Sequence, residues 1–472
     1  MHKGQIPHPT RSHESAKKAT LQIRFVIVGG GASGLSCAVA LRRVGHHVIV
    51  LEKGPDFIGP SKNRGIRMSP NMTKVFNYWG MRDKVDEIGI VTDRVIMSRL
   101  ETAYLLGIHC WEHEMLQEAG GEFIAICHGD LRDMLLETAR ELGAETRTNA
   151  EVVEIAEDCR SVRLASGEVL KADIIIGADG SQGICRALVV PQDPPKTTGI
   201  MLFNSVIPAD RIYADPELRS LVEQEQVSQW AWFGHERASV CFPIGPSKDL
   251  AWYFFVRDQG AQEGWNDVLT PEQFAPYVSD SEPRLQKLAR LARPNRVRMM
   301  QRDFPESWVH DSDRLVVVGS AAHPWPPGVI YGPSMSLEDA SVLAKLFSHL
   351  RNEEQIPSFL YAFQNLREER CQKNRELDIG NVQFMMEPEG EGTAQRDTMM
   401  RTKHDQGRNV LAGDDEDSNV AQWDQNRELF AYDAEDEADN WWVQWGLLQE
   451  RSKASTHEDI GMFSLDISVG IS

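Results

Sequence analysis

Residues 25–34 read Phe-Val-Ile-Val-Gly-Gly-Gly-Ala-Ser-Gly, an apolar run that ends in Gly29-x-Gly31-x-x-Gly34. The run is short, rich in β-branched residues and bounded by glycine, which fits a buried strand. A helix follows over 35–44 and stops at Gly45; a second strand, 47–51, ends at Glu52. Each glycine has a task in such a turn. Gly29 permits the tight bend, Gly31 lets the backbone approach a pyrophosphate, and Gly34 lets the helix pack on the strand. Glu52, 23 residues after Gly29, stands where a carboxylate accepts hydrogen bonds from a ribose. Strand, turn, helix and acid in this order point to a dinucleotide.

A chain of 472 residues exceeds one ordinary domain, and 41% hydrophobic with 25% charged residues is the composition of a soluble protein with a sizeable core. The net charge of −20 argues against nucleic acid or an anionic membrane as partner. The excess acid is concentrated in 387–439, with sixteen acidic against five basic residues. Seven dispersed cysteines (Cys37, Cys110, Cys127, Cys159, Cys185, Cys241 and Cys371) read as reduced thiols, and the histidines show no metal-ligand spacing. The polar start lacks the apolar stretch of a secretory signal, and no apolar run is long enough to span a membrane, so a cytoplasmic location is expected.

The expected organisation is a polar extension at 1–24, a nucleotide-binding domain in two pieces, 25–198 and 296–385, and a sheet domain at 199–295 inserted between them. An acidic C-terminal extension, 386–472, follows. Helical spacing appears at 130–142 and 336–350, and a strand meander at 151–156, 161–164 and 172–177. Aromatic-rich strands at 200–207, 229–233, 238–243 and 251–257 predict a mainly antiparallel sheet. Gly- and acid-rich residues 387–420 are expected to be poorly ordered, with the aromatic island at 423–445 docked across the first domain.

Two further stretches carry a family resemblance. One is Asp173–Arg186, Asp-Ile-Ile-Ile-Gly-Ala-Asp-Gly-Ser-Gln-Gly-Ile-Cys-Arg. The other joins Arg314–Pro324, containing Gly-Ser-Ala-Ala-His-Pro, to Ser334–Ala340, Ser-Met-Ser-Leu-Glu-Asp-Ala. With the glycine turn and residues 64–80, they make the chain resemble the single-component FAD-dependent aromatic hydroxylases, such as p-hydroxybenzoate and salicylate hydroxylases, over about 25–385. The resemblance implies an α/β fold, a Rossmann-like FAD domain with an inserted sheet domain for substrate. It implies FAD, NAD(P)H as co-substrate, O2, and a small aromatic or phenolic substrate, of secondary metabolism or of catabolism. It places Gly29, Gly31, Gly34, Glu52, Lys53, Gly65, His128, Asp179, Gly180, Ser320 and Gly332 at the cofactor, with Arg186 in support.

Three positions depart from the family pattern. Ser320 replaces an Asp that bonds the ribityl chain, so one acceptor and a charge are lost. His128 replaces an Arg at the cofactor. Ile330-Tyr331-Gly332 replaces a Gly-Gln-Gly beside the flavin ring and adds bulk there. These departures keep two alternatives open: an FAD-deficient, non-catalytic relative, and a flavin oxidase or epoxidase. His235 and Tyr253 are candidates for orienting a phenol or taking its proton. Trp230, Trp232 and Phe233 fit either an aromatic pocket or sheet packing. His323 reads as structural, and Ser33 and Ser320 lack the partners of a hydrolytic triad.

Overall fold

The apolar strand Arg24–Val28 lies at the centre of five parallel strands, in the order Leu315–Val317, Ile174–Gly177, Arg24–Val28, His47–Leu51 and Glu145–Arg147. Phe25, Val26 and Ile27 are completely buried, as a parallel strand covered on both faces must be. The helix Ala32–Arg43 packs against the helix Gly332–Phe347. The structure, a computed structural model, describes residues 16–57, 64–224, 226–260, 267–413 and 415–448. Most of the N-terminal extension and residues 449–472 lie outside these.

The sheet topology alters one sequence expectation. The antiparallel meander is Val152–Ile155, Ser161–Leu164 and Val169–Lys171, whereas Ile174–Gly177 leaves it for the parallel sheet. Ile174, Ile175 and Ile176 are fully buried; three consecutive isoleucines suit a strand with apolar neighbours on both faces. This insertion sets the Asp179 turn beside the Gly29 turn.

The second sheet has eight strands, antiparallel but for one pair: Asp267–Val268, Asn295–Gln301, Lys196–Ile207, Asp249–Arg257, Arg237–Ile244, Ser228–Gly234, Arg94–Arg99 and Leu105–Cys110. The last two come from the piece of chain expected to belong wholly to the first domain. They cover Ser228–Gly234, a completely buried strand that would otherwise present an apolar edge. The architecture is thus the α/β one expected, with a mainly antiparallel sheet joined to a Rossmann-like layer.

The C-terminal segment holds regular structure where 387–420 was expected to be poorly ordered. Its helices are Glu391–Asp405, Glu416–Phe430 and Ala434–Trp441. The first lies along Leu105–Cys110 and places Met400, followed by Val410, in an apolar cluster with Phe233, Phe242 and Tyr253. The helix itself is charge-balanced, with three acidic and three basic residues, and its acids meet cations, as in Asp397–Arg99 at 3.1 Å. The aromatic island docks on the first domain, as its composition suggested. Phe430 meets Phe123 at 5.2 Å between ring centroids, and Trp442 stacks on His349 at 4.6 Å. Phe430→Ala is expected to cost about 3–5 kcal/mol in urea unfolding. A loss below about 1 kcal/mol would show that the tail is not seated there.

Candidate functional site

Three loops meet at the carboxyl ends of the parallel strands, the place where open α/β sheets bind ligands. Gly29 has φ +109°, and a Cβ there would lie 2.3 Å from Ala178 O and 2.9 Å from Asp179 Cα, so the two turns touch. A Cβ on Gly319 would lie 2.1 Å from Ser33 Oγ, which brings in the third loop. Gly31 and Gly180 differ from these, for a Cβ on either meets nothing within 4 Å. The glycine turn is therefore closed against protein on one side and open on the other.

Polar groups surround the opening. Glu52 accepts the N–H of Gly30 at 3.0 Å and of Gly54 at 2.8 Å, which fixes its carboxylate at the turn. Arg132, buried, donates to Gly30 O at 3.0 Å. Asp179 Oδ2 accepts the N–H of Cys185 at 2.9 Å, and burial raises the Asp179 pKa. Asp179 Oδ1 and His128 Nδ1 are buried with no hydrogen-bond partner among the described residues. Burial, then the neighbouring Arg132 and Arg64, push the His128 pKa down to about 4. His128 is neutral at pH 7, while Arg64 and Arg132 still supply a positive field.

Behind the third loop lies a buried charge network. Asp339 accepts the N–H of Gly319 at 2.9 Å, pairs with His323 Nε2 at 2.5 Å and accepts Arg367 Nε at 2.9 Å. Trp325 Nε1 donates to His323 Nδ1 at 3.1 Å, so the imidazole proton lies on Nε2, toward Asp339. Burial opposes the Asp339 charge, yet His323 and Arg367 hold its pKa at about 2. His323, Asp339 and Cys371 offer ligand atoms within 4.8 Å of one another, but the Arg367 guanidinium already stands beside Asp339 and Cys371 as the local cation. Arg186, expected to support the Asp179 turn, instead grips the third loop. It donates to Ala321 O at 2.6 Å and Asp303 O at 2.8 Å.

Residues 22–378 match the family described as "FAD binding domain". The chain belongs to this family of flavoprotein monooxygenases. Among relatives, it is 27% identical over 388 residues to "FAD-dependent monooxygenase OpS4" of Beauveria bassiana (strain ARSEF 2860), covering 80% of this chain and 89% of that protein. It is also 27% identical over 383 residues to "3-hydroxybenzoate 6-hydroxylase 1" of Aquipseudomonas alcaligenes, covering 80% of this chain and 93% of that one. Among solved structures, CtdE in complex with FAD and substrate 4 superposes with a TM-score of 0.73 at 21% identity, covering 91% of this chain and all of that one. A salicylate hydroxylase substrate complex gives 0.69 at 18% identity, with coverages of 89% and 97%. These two establish likeness of fold.

The residues present fit FAD, because the open Gly31 and Gly180 positions leave backbone exposed to a diphosphate and Asp179 and His128 offer unsatisfied polar atoms. Glu52, Gly29, Gly34, Asp179 and Gly180 converge on the cradle. Lys53 is exposed on the far side of Glu52 in sequence, and Ser320 is exposed with no hydrogen bond among the described residues. Gly332 begins its helix against Trp325. The bulk introduced by Tyr331 is absorbed: its buried ring packs with Phe430 and Leu429 of the tail, and the N–H groups of Ile330 and Tyr331 go to Asp378 at 3.1 and 2.7 Å.

The two catalytic candidates are not brought together. Tyr253 is buried and donates to Gly65 O at 2.6 Å; burial raises its pKa, so it keeps its proton at pH 7. His235 is exposed at a hairpin turn, where Nδ1 accepts the N–H of Glu389 at 2.9 Å. Val240, the cross-strand partner of Tyr253, stands three residues, about 10 Å, along the strand from Arg237, which closes the hairpin turn that carries His235. Trp230 and Trp232 pack in the cluster on the opposite side of the sheet from Tyr253, so they are core. Sequence reasoning missed Arg67, Arg132 and Asp378. Arg132 carried one signal: it lies four residues beyond His128, on the same face of a helix.

The glycines give a contrast. Gly31→Ala should leave the melting temperature unchanged and weaken FAD binding at least about tenfold in a spectroscopic titration. Gly29→Ala should fail to fold, because its φ and the Ala178 carbonyl both exclude a Cβ. Equal FAD affinity in Gly31→Ala would remove the diphosphate from this turn. The depressed Asp339 pKa adds stability above about pH 4 that is lost as pH falls toward 2. The difference in melting temperature between wild type and Asp339→Asn should shrink over that interval; a constant difference would show that the carboxylate is not held ionised.

Proposed function

We propose that this protein is a cytoplasmic FAD-dependent monooxygenase that hydroxylates a small aromatic or phenolic substrate with NAD(P)H and O2. The observation that carries the reading is the cradle itself: backbone left open at Gly31 and Gly180 beside a buried, unsatisfied oxygen of Asp179. The names of relatives such as 3-hydroxybenzoate 6-hydroxylase support an aromatic substrate. FAD, when bound, supplies the hydride acceptance and oxygen activation that no side chain provides.

This chain's residues do the rest. The glycine turn and Arg132 hold the diphosphate, and Glu52 accepts a ribose hydroxyl. Tyr253 keeps its proton on Gly65 O, which leaves its oxygen lone pairs free to accept a substrate hydroxyl and orient the ring. Phe242, fully buried and stacked beside Tyr253 at 5.9 Å, holds the Tyr253 ring in place.

The visible spectrum of the purified protein should show oxidised flavin, and candidate phenols should accelerate NAD(P)H oxidation with formation of hydroxylated product. A colourless protein that takes up no FAD would overturn the proposal in favour of a non-catalytic relative, the reading that Ser320 and neutral His128 favour. O2 consumption without a hydroxylated product would indicate an oxidase. Ser320→Asp should tighten FAD binding by up to about tenfold through a second, charged acceptor. No change would show that position 320 does not face the cofactor.

A further inference from the structure

The helix Glu416–Phe430 buries only Leu429 and Phe430 of its fifteen residues, so it is anchored chiefly at its C-terminal end. That end sits in a seat made by three elements. Arg370, on the helix Ile356–Met385, donates to Glu428 O and Leu429 O, each at 2.9 Å, and its guanidinium carbon lies 3.7 Å from the Tyr432 ring centroid. From the helix Pro70–Tyr78, Lys74 donates to Ala431 O at 2.8 Å and Tyr78 to Asp433 Oδ2 at 2.7 Å. Phe430 closes the seat against Phe123 and Tyr331, with ring centroids 5.2 and 6.2 Å away. A helix with so few buried side chains along most of its length opens at lower cost than the fold as a whole.

Two paths of direct contact lead from this seat to the loops of the cradle. Arg370 pairs with buried Glu338 at 2.8 Å, Glu338 with Arg367 at 2.7 Å, and Arg367 with Asp339, which accepts the N–H of Gly319. Gly319 in turn lies against Ser33 of the glycine turn. The second path is shorter: Tyr331, which meets Phe430, is the residue before the helix Gly332–Phe347, and that helix carries both Glu338 and Asp339. Undocking would return Arg370 and the Tyr331 ring to water and disturb the compensation of the Glu338 charge.

We propose that residues 416–441 are a latch on the cofactor cradle: docking at Phe430 strengthens the hold on FAD, and bound FAD keeps the segment docked. The proposal rests on the cofactor part of the monooxygenase reading and not on the reaction catalysed. The coupling runs both ways because two linked equilibria change each other by the same factor.

Amide hydrogen exchange on the purified full-length protein, with and without saturating FAD, tests this. FAD should slow exchange in residues 424–433 at least about fivefold and leave the helix Glu391–Asp405, seated on the other sheet, unchanged. Phe430→Ala should speed exchange across 416–441 and weaken FAD binding by up to the same factor in a spectroscopic titration. Should that variant not fold, Tyr78→Phe, which removes only the bond to Asp433, should weaken FAD about threefold. Equal slowing in both helices, no slowing in either, or a variant with a freed tail and wild-type FAD affinity would overturn the latch and leave flavin binding standing. A protein that takes up no FAD would overturn both.

Discussion

The buried carboxylate of Asp339 fixes the loop 319–323 to the rest of the protein. It accepts the Gly319 N–H, pairs with His323 and meets Arg367, so the loop, its helix and the long helix Ile356–Met385 share one charge site. The charge does not end there. Arg367 also pairs with Glu338 at 2.7 Å, Glu338 with Arg370 at 2.8 Å, and Arg370 donates to Glu428 O and Leu429 O of the tail. Each ion alone would cost several kcal/mol to bury; alternating signs along the chain of contacts offset that cost. Breaking one member leaves a neighbour uncompensated, so the loop, both helices and the tail are expected to hold or loosen together.

A neutral His128 does not empty the surroundings of the glycine turn of positive charge. His128 is neutral because burial and two nearby guanidiniums disfavour a third cation. Arg132 sits one helical turn further on and bonds the carbonyl of the glycine turn directly. Positive charge is therefore kept at the glycine turn by a residue whose backbone position is different. Among the described residues Ser320 has no such neighbour, and it is exposed.

Much of this was legible in the sequence because it rests on local backbone demands. The strand before Gly29 is an unbroken apolar run, Gly29 needs a positive φ, and Glu52 closes the unit at a fixed spacing. The four aromatic strands alternate or run apolar within a few residues of their observed limits. What sequence did not show depends on contacts between distant segments. Ile174–Gly177 looked like part of a meander because its neighbours do form one, and only the parallel partners on both sides decide otherwise. The helix Glu391–Asp405 looked unsuited to packing because it lies in an acid-rich stretch and its partners, Arg99 and the apolar sheet face, lie about 300 residues away. Arg67 looked like any polar residue in a short strand until the second sheet was placed over it.

The tail also changes the meaning of Ile330-Tyr331. Considered alone, these residues crowd a loop where small ones would let backbone approach a flavin. In the folded chain Tyr331 is buried against Leu429 and Phe430, and both backbone N–H groups are taken by Asp378. The bulk is thus an anchor for the tail, and the loop is held by side chain on one face and by main chain on the other. A large residue at 331 has a partner only because the tail presents Phe430 at that point, while a glycine there would leave Phe430 facing a cavity. The loop substitution and the docked tail are therefore two halves of one packing arrangement. The loop ahead of the helix Gly332–Phe347 is built around that arrangement.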